Sequence, residues 1–192
     1  MNIIYDFDKT LTYKDTYLPF LLYSSRSFSV SPFIYLQIIL CVIRLKTSLI
    51  SNDQYKSITF GLIFKNKTRN EINEVAKNFV SQNHDIFNKL GHKIKGIQNE
   101  NVFVVTASPE CYVTLFLRNI KVIGTKLAFD DSDVYSHIEL NCFGSNKIKA
   151  LNQEDILHID EFYTDSYSDM PLILRSKNSF LVSGDKITSI DL

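Results

Sequence analysis

The chain has 192 residues, 45% hydrophobic and 22% charged, a balance that supports one sizeable core and excludes a disordered or fibrous protein. Lys plus Arg and Asp plus Glu number 21 each, so no net field recruits nucleic acid, and no nucleic-acid partner is expected. Cys41, Cys111 and Cys142 are widely spaced and form no CxxC pair, which argues against a disulfide framework or a zinc site and fits a reducing, cytoplasmic setting.

In chain order, Asn2 to Phe7 reads as a buried strand with no charged leader before it, so no secretory signal is expected. It leads into Asp6 and Asp8, and side chains two apart on a strand share a face, so the two carboxylates are expected side by side near the strand's end. Asp15 to Tyr23 reads as a short helix, Pro32 to Leu45 as an apolar one with proline in its first turn, and Asn52 to Phe64 as a third. Thr68-Arg-Asn-Glu71 has the form of a capping box, and behind it Ile72, Val75, Ala76, Phe79, Ile86, Phe87 and Leu90 recur at helical spacing.

After Gly96 the strand signal returns in NVFVVTAS, Asn101 to Ser108. Glu110 to Asn119 follows as a helix, and Val122 to Phe129 as a strand that pairs through an acidic turn with HIELNCF. Lys147 to Leu151 is a short helix, and further strands lie within Ile156 to Ser166 and Ser179 to Gly184. Strands alternating with helices imply a parallel sheet covered on both faces. The expected class is α/β, a three-layer Rossmann-like parallel sheet with a helical cap inserted after the first strand. Residues 1–12 and 96–192 would form the core and 13–95 the cap.

Sites in such folds gather where strands end. Four ends carry polar clusters: Asp6-Phe-Asp8-Lys-Thr10, Thr106-Ala-Ser108, Lys147, and Asp165-Ser-Tyr-Ser-Asp169. Carboxylates with open coordination suit Mg²⁺, and a lysine with free N–H groups suits phosphate oxygens, so the set points to phosphoryl transfer. Single features here have plainer readings. Ser108 is expected to cap the helix that begins near Glu110 while Thr106 faces phosphate. His84, His92, His137 and His158 are scattered and are given no catalytic role.

The four motifs resemble those of the haloacid dehalogenase (HAD) superfamily, and more narrowly its phosphoserine-phosphatase-like branch with a helical cap. DFDKT is similar to the DxDx[TV] motif, VVTAS to the apolar strand ending in Thr or Ser, Lys147 in CFGSNKIKAL to the third motif, and DSYSD to the terminal acidic pair. They occur in order across residues 6–169. The resemblance implies a Mg²⁺-dependent phosphomonoesterase that forms an aspartyl-phosphate. Asp6 would be the nucleophile and Asp8 the general acid and base. The Asp6 and Asp165 carboxylates and the Asp8 backbone carbonyl would surround Mg²⁺. Asp169 would orient metal-bound water and Thr10 would brace the loop. Thr106 and the Ala107 N–H would hold phosphate oxygens, and Lys147 would offset charge. Lys9 and Thr164 depart from the pattern, standing where glycine is common. A phosphotransferase using the same intermediate and an inactive docking module are the alternatives; no motif residue is lost.

Substrate class is read from the cap. Asp53 to Lys67 offers no Glu–Arg pair to hold a zwitterion such as phosphoserine. PFIYLQIILCVIRL, Pro32 to Leu45, is shorter than the roughly 20 residues that cross a bilayer, and Arg26, Arg44 and Lys46 flank it. It is either a cap helix buried against its neighbours or a segment resting peripherally on an anionic membrane. This segment and the end at Tyr167 to Ile173 also resemble HAD-class phosphatidylglycerophosphatases. The expected substrate is therefore a lipid or other hydrophobic phosphate, ahead of phosphoserine or another small metabolite.

Overall fold

The computed structural model describes residues 1–191. Its strands are β1 (Ile3–Tyr5), β2 (Val102–Pro109), β3 (Lys121–Phe129), β4 (Tyr135–Leu140), β5 (Ile159–Thr164), β6 (Ser176–Ser183) and β7 (Lys186–Ile190). Its helices are α1 (Tyr17–Ser27), α2 (Pro32–Lys46), α3 (Asn52–Phe64), α4 (Arg69–Gln82), α5 (Lys89–Lys95), α6 (Glu110–Phe116), α7 (Asn146–Gln153) and the single turn α8 (Met170–Ile173).

Among the described residues the strands form one seven-stranded sheet in the order β4-β3-β2-β1-β5-β6-β7. β1 lies at its centre, with Ile3 opposite Val102 on one side and Glu161 on the other, both pairings parallel. β3 and β6 continue the parallel set, while β4 and β7 fold back antiparallel at the two edges. The α/β class holds, with the sheet mixed at its margins and not parallel throughout. The expected hairpin after β3 is present. β7, with no counterpart in the sequence reading, lies on the exposed edge, so Lys186-Ile-Thr-Ser carries no apolar run. Its signal is the turn before it: Gly184, at φ +61°, opens a two-residue hairpin loop with Asp185.

Alternate side chains along the central strands feed two apolar layers. Ile4, Phe103 and Val105 face Ala150 and Leu151 of α7 and Leu172 and Ile173 of α8. Tyr5, Val102 and Val104 belong to the other layer, with Tyr112, Val113 and Phe116 of α6. That layer runs without a break into Phe20 of α1, Phe60 and Phe64 of α3, and Phe79 of α4. The rings interlock, with the Phe20 centroid 4.5 Å from Tyr112 and 5.3 Å from Phe79. The helical insert is thus seated on the sheet by aromatic packing.

The periodic run from Ile72 to Leu90 is not one helix. α4 starts at the expected capping box, where Thr68 and Glu71 satisfy each other's backbone N–H, and stops at Gln82. Phe87 then pairs with Thr12 in an isolated bridge, and Asn88 caps a new helix, α5, by accepting from the Gly91 N–H at 2.8 Å. The Asn88 amide also donates to the Thr10 carbonyl at 2.8 Å and to the Gly184 carbonyl at 3.1 Å. Helical spacing survived the break because Ile86, Phe87 and Leu90 all turn to the same layer.

α5 presses on the loop that leaves β1. A Cβ on Gly91 would lie 2.0 Å from the Leu11 carbonyl oxygen, so one of two backbones would have to move. Gly91→Ala is expected to destabilise the fold by about 2 kcal/mol, read as a lower urea midpoint at unchanged slope.

Candidate active site

Beyond the carboxyl ends of β1, β2 and β5 lies a cavity of about 500 Å³, walled on its other side by α1, α2 and α3. Asp6, Asp8, Thr106, Ala107, Lys147, Asp165 and Asp169 all line it, so the structure brings together every residue expected there except Thr10, which is buried just behind.

β1 ends at Tyr5, and the Asp6 N–H makes a last ladder bond to the Tyr163 carbonyl at 2.9 Å. The chain then leaves the sheet, so Asp6 and Asp8 do not share a strand face as the i, i+2 reading required. Lys9 turns the loop at φ +57°, in the left-handed region that favours glycine. Its side chain therefore stands at some conformational cost where the motif usually has no side chain.

The two aspartates have unlike partners. Asp6 Oδ1 accepts from Lys147 Nζ at 2.7 Å, and its other oxygen meets the Thr10 hydroxyl at 3.5 Å. Lys147, the second residue of α7 and 2% exposed, also donates to Asp169 Oδ2 at 2.8 Å. Thr164 donates to the same Asp169 oxygen at 2.9 Å. Asp169, expected to orient bound water, here grips the lysine. Asp8 meets no lysine: Oδ1 accepts the Thr16 N–H at 2.7 Å and its hydroxyl at 2.6 Å, and Oδ2 accepts the Ser108 hydroxyl at 2.5 Å. Tyr112 OH lies 2.9 Å behind the Thr16 hydroxyl and extends the chain into the core.

Ser108 does not cap α6. Proline precedes that helix and no side chain caps it, so the serine hydroxyl is free to serve Asp8. Thr106 Oγ1 accepts the Ser108 N–H at 3.0 Å, which leaves its own proton for a ligand oxygen. The Ala107 carbonyl is held from behind by the Thr125 hydroxyl at 2.7 Å and by Lys56 Nζ.

Lys56 was not read from the sequence as a site residue. It sits on α3, 3% exposed, with Nζ also 2.7 Å from Asn141 Oδ1 and 3.3 Å from Thr125 Oγ1. Asn141 in turn donates to Asn52 at 3.0 Å and to Asp53. A signal was present, since Lys56, Phe60 and Ile63 fall at i, i+4 and i+7 on the buried face of α3.

Burial raises the Asp6 carboxyl to about 7 against the pull of Lys147, and the Asp169 charge adds to the rise. Burial lifts Asp8 to about 6, with Asp15 adding and the Ser108 and Thr16 hydrogen bonds opposing. Asp165 is also raised by burial, with Lys9 acting the other way. For Lys147, burial works to remove the proton, but the Asp6 and Asp169 charges outweigh it and hold the ammonium. Lys56 is lowered by burial to about 7, its direct acceptors being neutral.

Among the described residues no three His, Cys, Asp or Glu side chains form a ready metal cluster. The donor set suits Mg²⁺ all the same, because that ion is commonly held by one or two carboxylates and keeps several waters. Asp6 and Asp165 could supply them, and the rise burial imposes on both is what a cation between them would reverse.

A family model described as haloacid dehalogenase-like hydrolase matches residues 3–174. No curated protein matches the chain. Among solved structures, it is similar to a protein of unknown function from Bordetella pertussis Tohama I, with a TM-score of 0.70 and 18% identity over 90% of this chain and 85% of that one. It is also similar to a phosphoserine phosphohydrolase-like protein from Francisella tularensis subsp. tularensis SCHU S4, with a TM-score of 0.61 and 16% identity over 93% and 85%. A phospho-aspartyl intermediate analogue of phosphoserine phosphatase gives a TM-score of 0.57 and 15% identity over 92% and 83%. At these identities the likeness is one of fold.

The Lys56 network yields a pH test. Folding lowers its pKa from 10.5 to about 7, so between those values the unfolded chain holds a proton that the folded chain has released. Stability conferred at this site must then rise with pH from about 7 upward, at a slope of at most about 1.4 kcal/mol per pH unit. Urea titrations of wild type and Lys56→Met between pH 7 and 9 should show the difference moving steadily in favour of wild type. Parallel pH profiles would show that Lys56 keeps an ordinary pKa.

Proposed function

Because the chain belongs to the haloacid dehalogenase-like hydrolases, we propose that it is a Mg²⁺-dependent phosphomonoesterase working through an aspartyl-phosphate on Asp6. The observation that carries this reading is the unequal partnering of the two aspartates in one cavity. Attack on phosphorus needs an ionised carboxylate, and Asp6 is the one held by an ammonium, 2.7 Å away. Asp8 is held by hydroxyl and amide donors, and burial raises it to about 6, so it can carry a proton near neutral pH. Asp6, raised to about 7 by burial, would be kept ionised by a cation beside it and Asp165.

In the first half-reaction an Asp6 oxygen bonds to phosphorus as the ester oxygen leaves, and Asp8 gives that oxygen its proton. In the second, Asp8 takes a proton from water, the water oxygen bonds to phosphorus, and the Asp6–phosphorus bond breaks. Thr106 and the Ala107 N–H would hold the equatorial oxygens, and Lys147 would offset the charge gathered on Asp6 and phosphate. Mg²⁺, held by the Asp6 and Asp165 carboxylates and the Asp8 carbonyl, would supply further charge stabilisation to the phosphoryl oxygens.

The substrate we favour is a lipid or other hydrophobic phosphate. Leu18, Pro19, Val42, Leu45 and Phe143 form an apolar outer wall for the leaving group. A second reading rests on Asp15 and Lys46, which line the same cavity and carry opposite charges suited to a zwitterion such as phosphoserine. Transfer to an acceptor other than water would use the same residues and release no inorganic phosphate.

Phosphate release should be measured on phosphatidic acid and phosphatidylglycerol phosphate in micelles, against phosphoserine and sugar phosphates. Lipid phosphates are expected to lead. Asp6→Asn should abolish turnover, and Asp8→Asn should slow it by roughly two to four orders of magnitude; wild-type rates in Asp6→Asn protein refute the mechanism. Ser108→Ala, which removes one hydrogen bond to Asp8, should cut kcat by about tenfold. EDTA should silence the enzyme and Mg²⁺ restore it, with Asp165→Ala raising the Mg²⁺ concentration required. Undiminished activity in chelator would exclude the metal.

A further inference from the structure

Helix α2 is apolar on both sides but covered on one. Successive residues turn by about 100°, so Ile34, Ile38, Cys41 and Leu45 share a face, and it is this face that joins the core. On the opposite arc Phe33, Leu36, Ile39, Leu40 and Ile43 are between 49% and 63% exposed. A surface helix ordinarily places polar residues on such an arc. Contiguous exposed apolar surface of this kind marks an interaction site.

Two further features say what covers it. α2 carries no acidic residue, and the same rotation sets exposed Arg44 and Lys46 at the two borders of the apolar arc. An apolar stripe edged by cations complements a surface with an apolar interior and anionic headgroups. The C-terminal end of the same helix borders the active site through its covered face and through Lys46 at the edge of the stripe. Val42, Leu45 and Lys46 of α2 line the catalytic cavity, and Leu45 and Phe143 are shared with an adjoining groove that contains Leu49, 73% exposed. Among the described residues no helix is long and apolar enough to cross a membrane.

We propose that the outward face of α2 docks on the surface of an anionic phospholipid bilayer, lying in the plane of the headgroups with the cavity mouth turned toward them. This deepens the phosphomonoesterase reading, and rests on it only for what the cavity would take from that surface, a phosphate monoester exposed at the headgroup level.

The test is co-sedimentation of the whole protein with vesicles, in which docking is scored without catalysis. Wild type should pellet with vesicles of phosphatidylglycerol and phosphatidylcholine, and at least tenfold less with phosphatidylcholine alone or in about 0.5 M salt, where surface electrostatics are screened. A Leu36→Asp, Leu40→Asp variant should lose at least tenfold in binding while its circular dichroism and its hydrolysis of a soluble phosphate monoester stay unchanged. Should that variant misfold, the composition and salt series on wild type decides alone. The proposal is overturned if wild type stays in the supernatant, if lipid charge and salt make no difference, or if the folded variant binds as wild type does. It is equally overturned if size-exclusion shows a dimer that the variant splits while vesicles capture neither form, since a second copy then covers α2. Vesicle binding without phosphate release from any monoester upholds the docking and sinks the enzymatic reading; release without binding does the reverse.

Discussion

One buried ammonium holds three stretches of chain in place. Lys147 Nζ lies 2.7 Å from Asp6 and 2.8 Å from Asp169, at 2% exposure. Removing an ammonium from water costs several kcal/mol, and one carboxylate does not reliably offset that. Here two do, one just past β1 and one in the turn after β5, with Thr164 completing Asp169. The arrangement depends on the sheet. β1 and β5 are adjacent and parallel, so their carboxyl ends stand level, and α7 enters over that edge with the lysine in its first turn. Strand pairing far from any substrate thus sets where the Asp6 oxygens point.

Around this clamp the two aspartates are differentiated by what reaches them. The Asp8 partners come from the start of α1 and the end of β2, and Tyr112 of α6 backs them within the aromatic layer. The insert and the sheet therefore share custody of the second carboxylate. Lys56 makes a related connection from α3, gripping the Ala107 carbonyl beside the residues that would meet phosphate. Movement of the insert against the sheet would be felt at once by both groups.

The parts of the fold visible in the sequence were those fixed locally. β1 and β2 are largely buried and read as unbroken apolar runs, while β5 shows only Ile159, Phe162 and Tyr163 around Asp160 and Glu161; each ends in the polar cluster that faces the cavity. α4 announces itself through the side-chain cap at Thr68, and α3, read without a cap, proves to carry the same box at Ser51. What escaped the sequence reading was fixed by distant partners. The stop in the helical run before Asn88 answers to the Thr10 and Gly184 carbonyls, and the role of Ser108 is set by Asp8, a hundred positions earlier. Lys56 was not singled out because its acceptors come from β2, β3 and the segment after β4. The expected pairing of Asp6 and Asp8 on one face failed because β1 ends at Tyr5, three residues short of Asp8.

The Asn88 amide ties the loop after β1 to the turn between the last two strands, and Asp185 in that turn adds a bond to the Lys89 N–H at 3.0 Å. Consider a chain emerging from a ribosome. β1 is the centre of the sheet, yet β5, one of the two strands that flank it, is made only after the helical insert and β2 to β4. The loop bearing both aspartates gains its last fastening when Gly184 appears. A nascent chain holds the chemical groups of the first loop long before it holds their geometry. Premature termination before that turn leaves Asn88 without its Gly184 acceptor and the Lys89 N–H without Asp185, however much of the insert has folded.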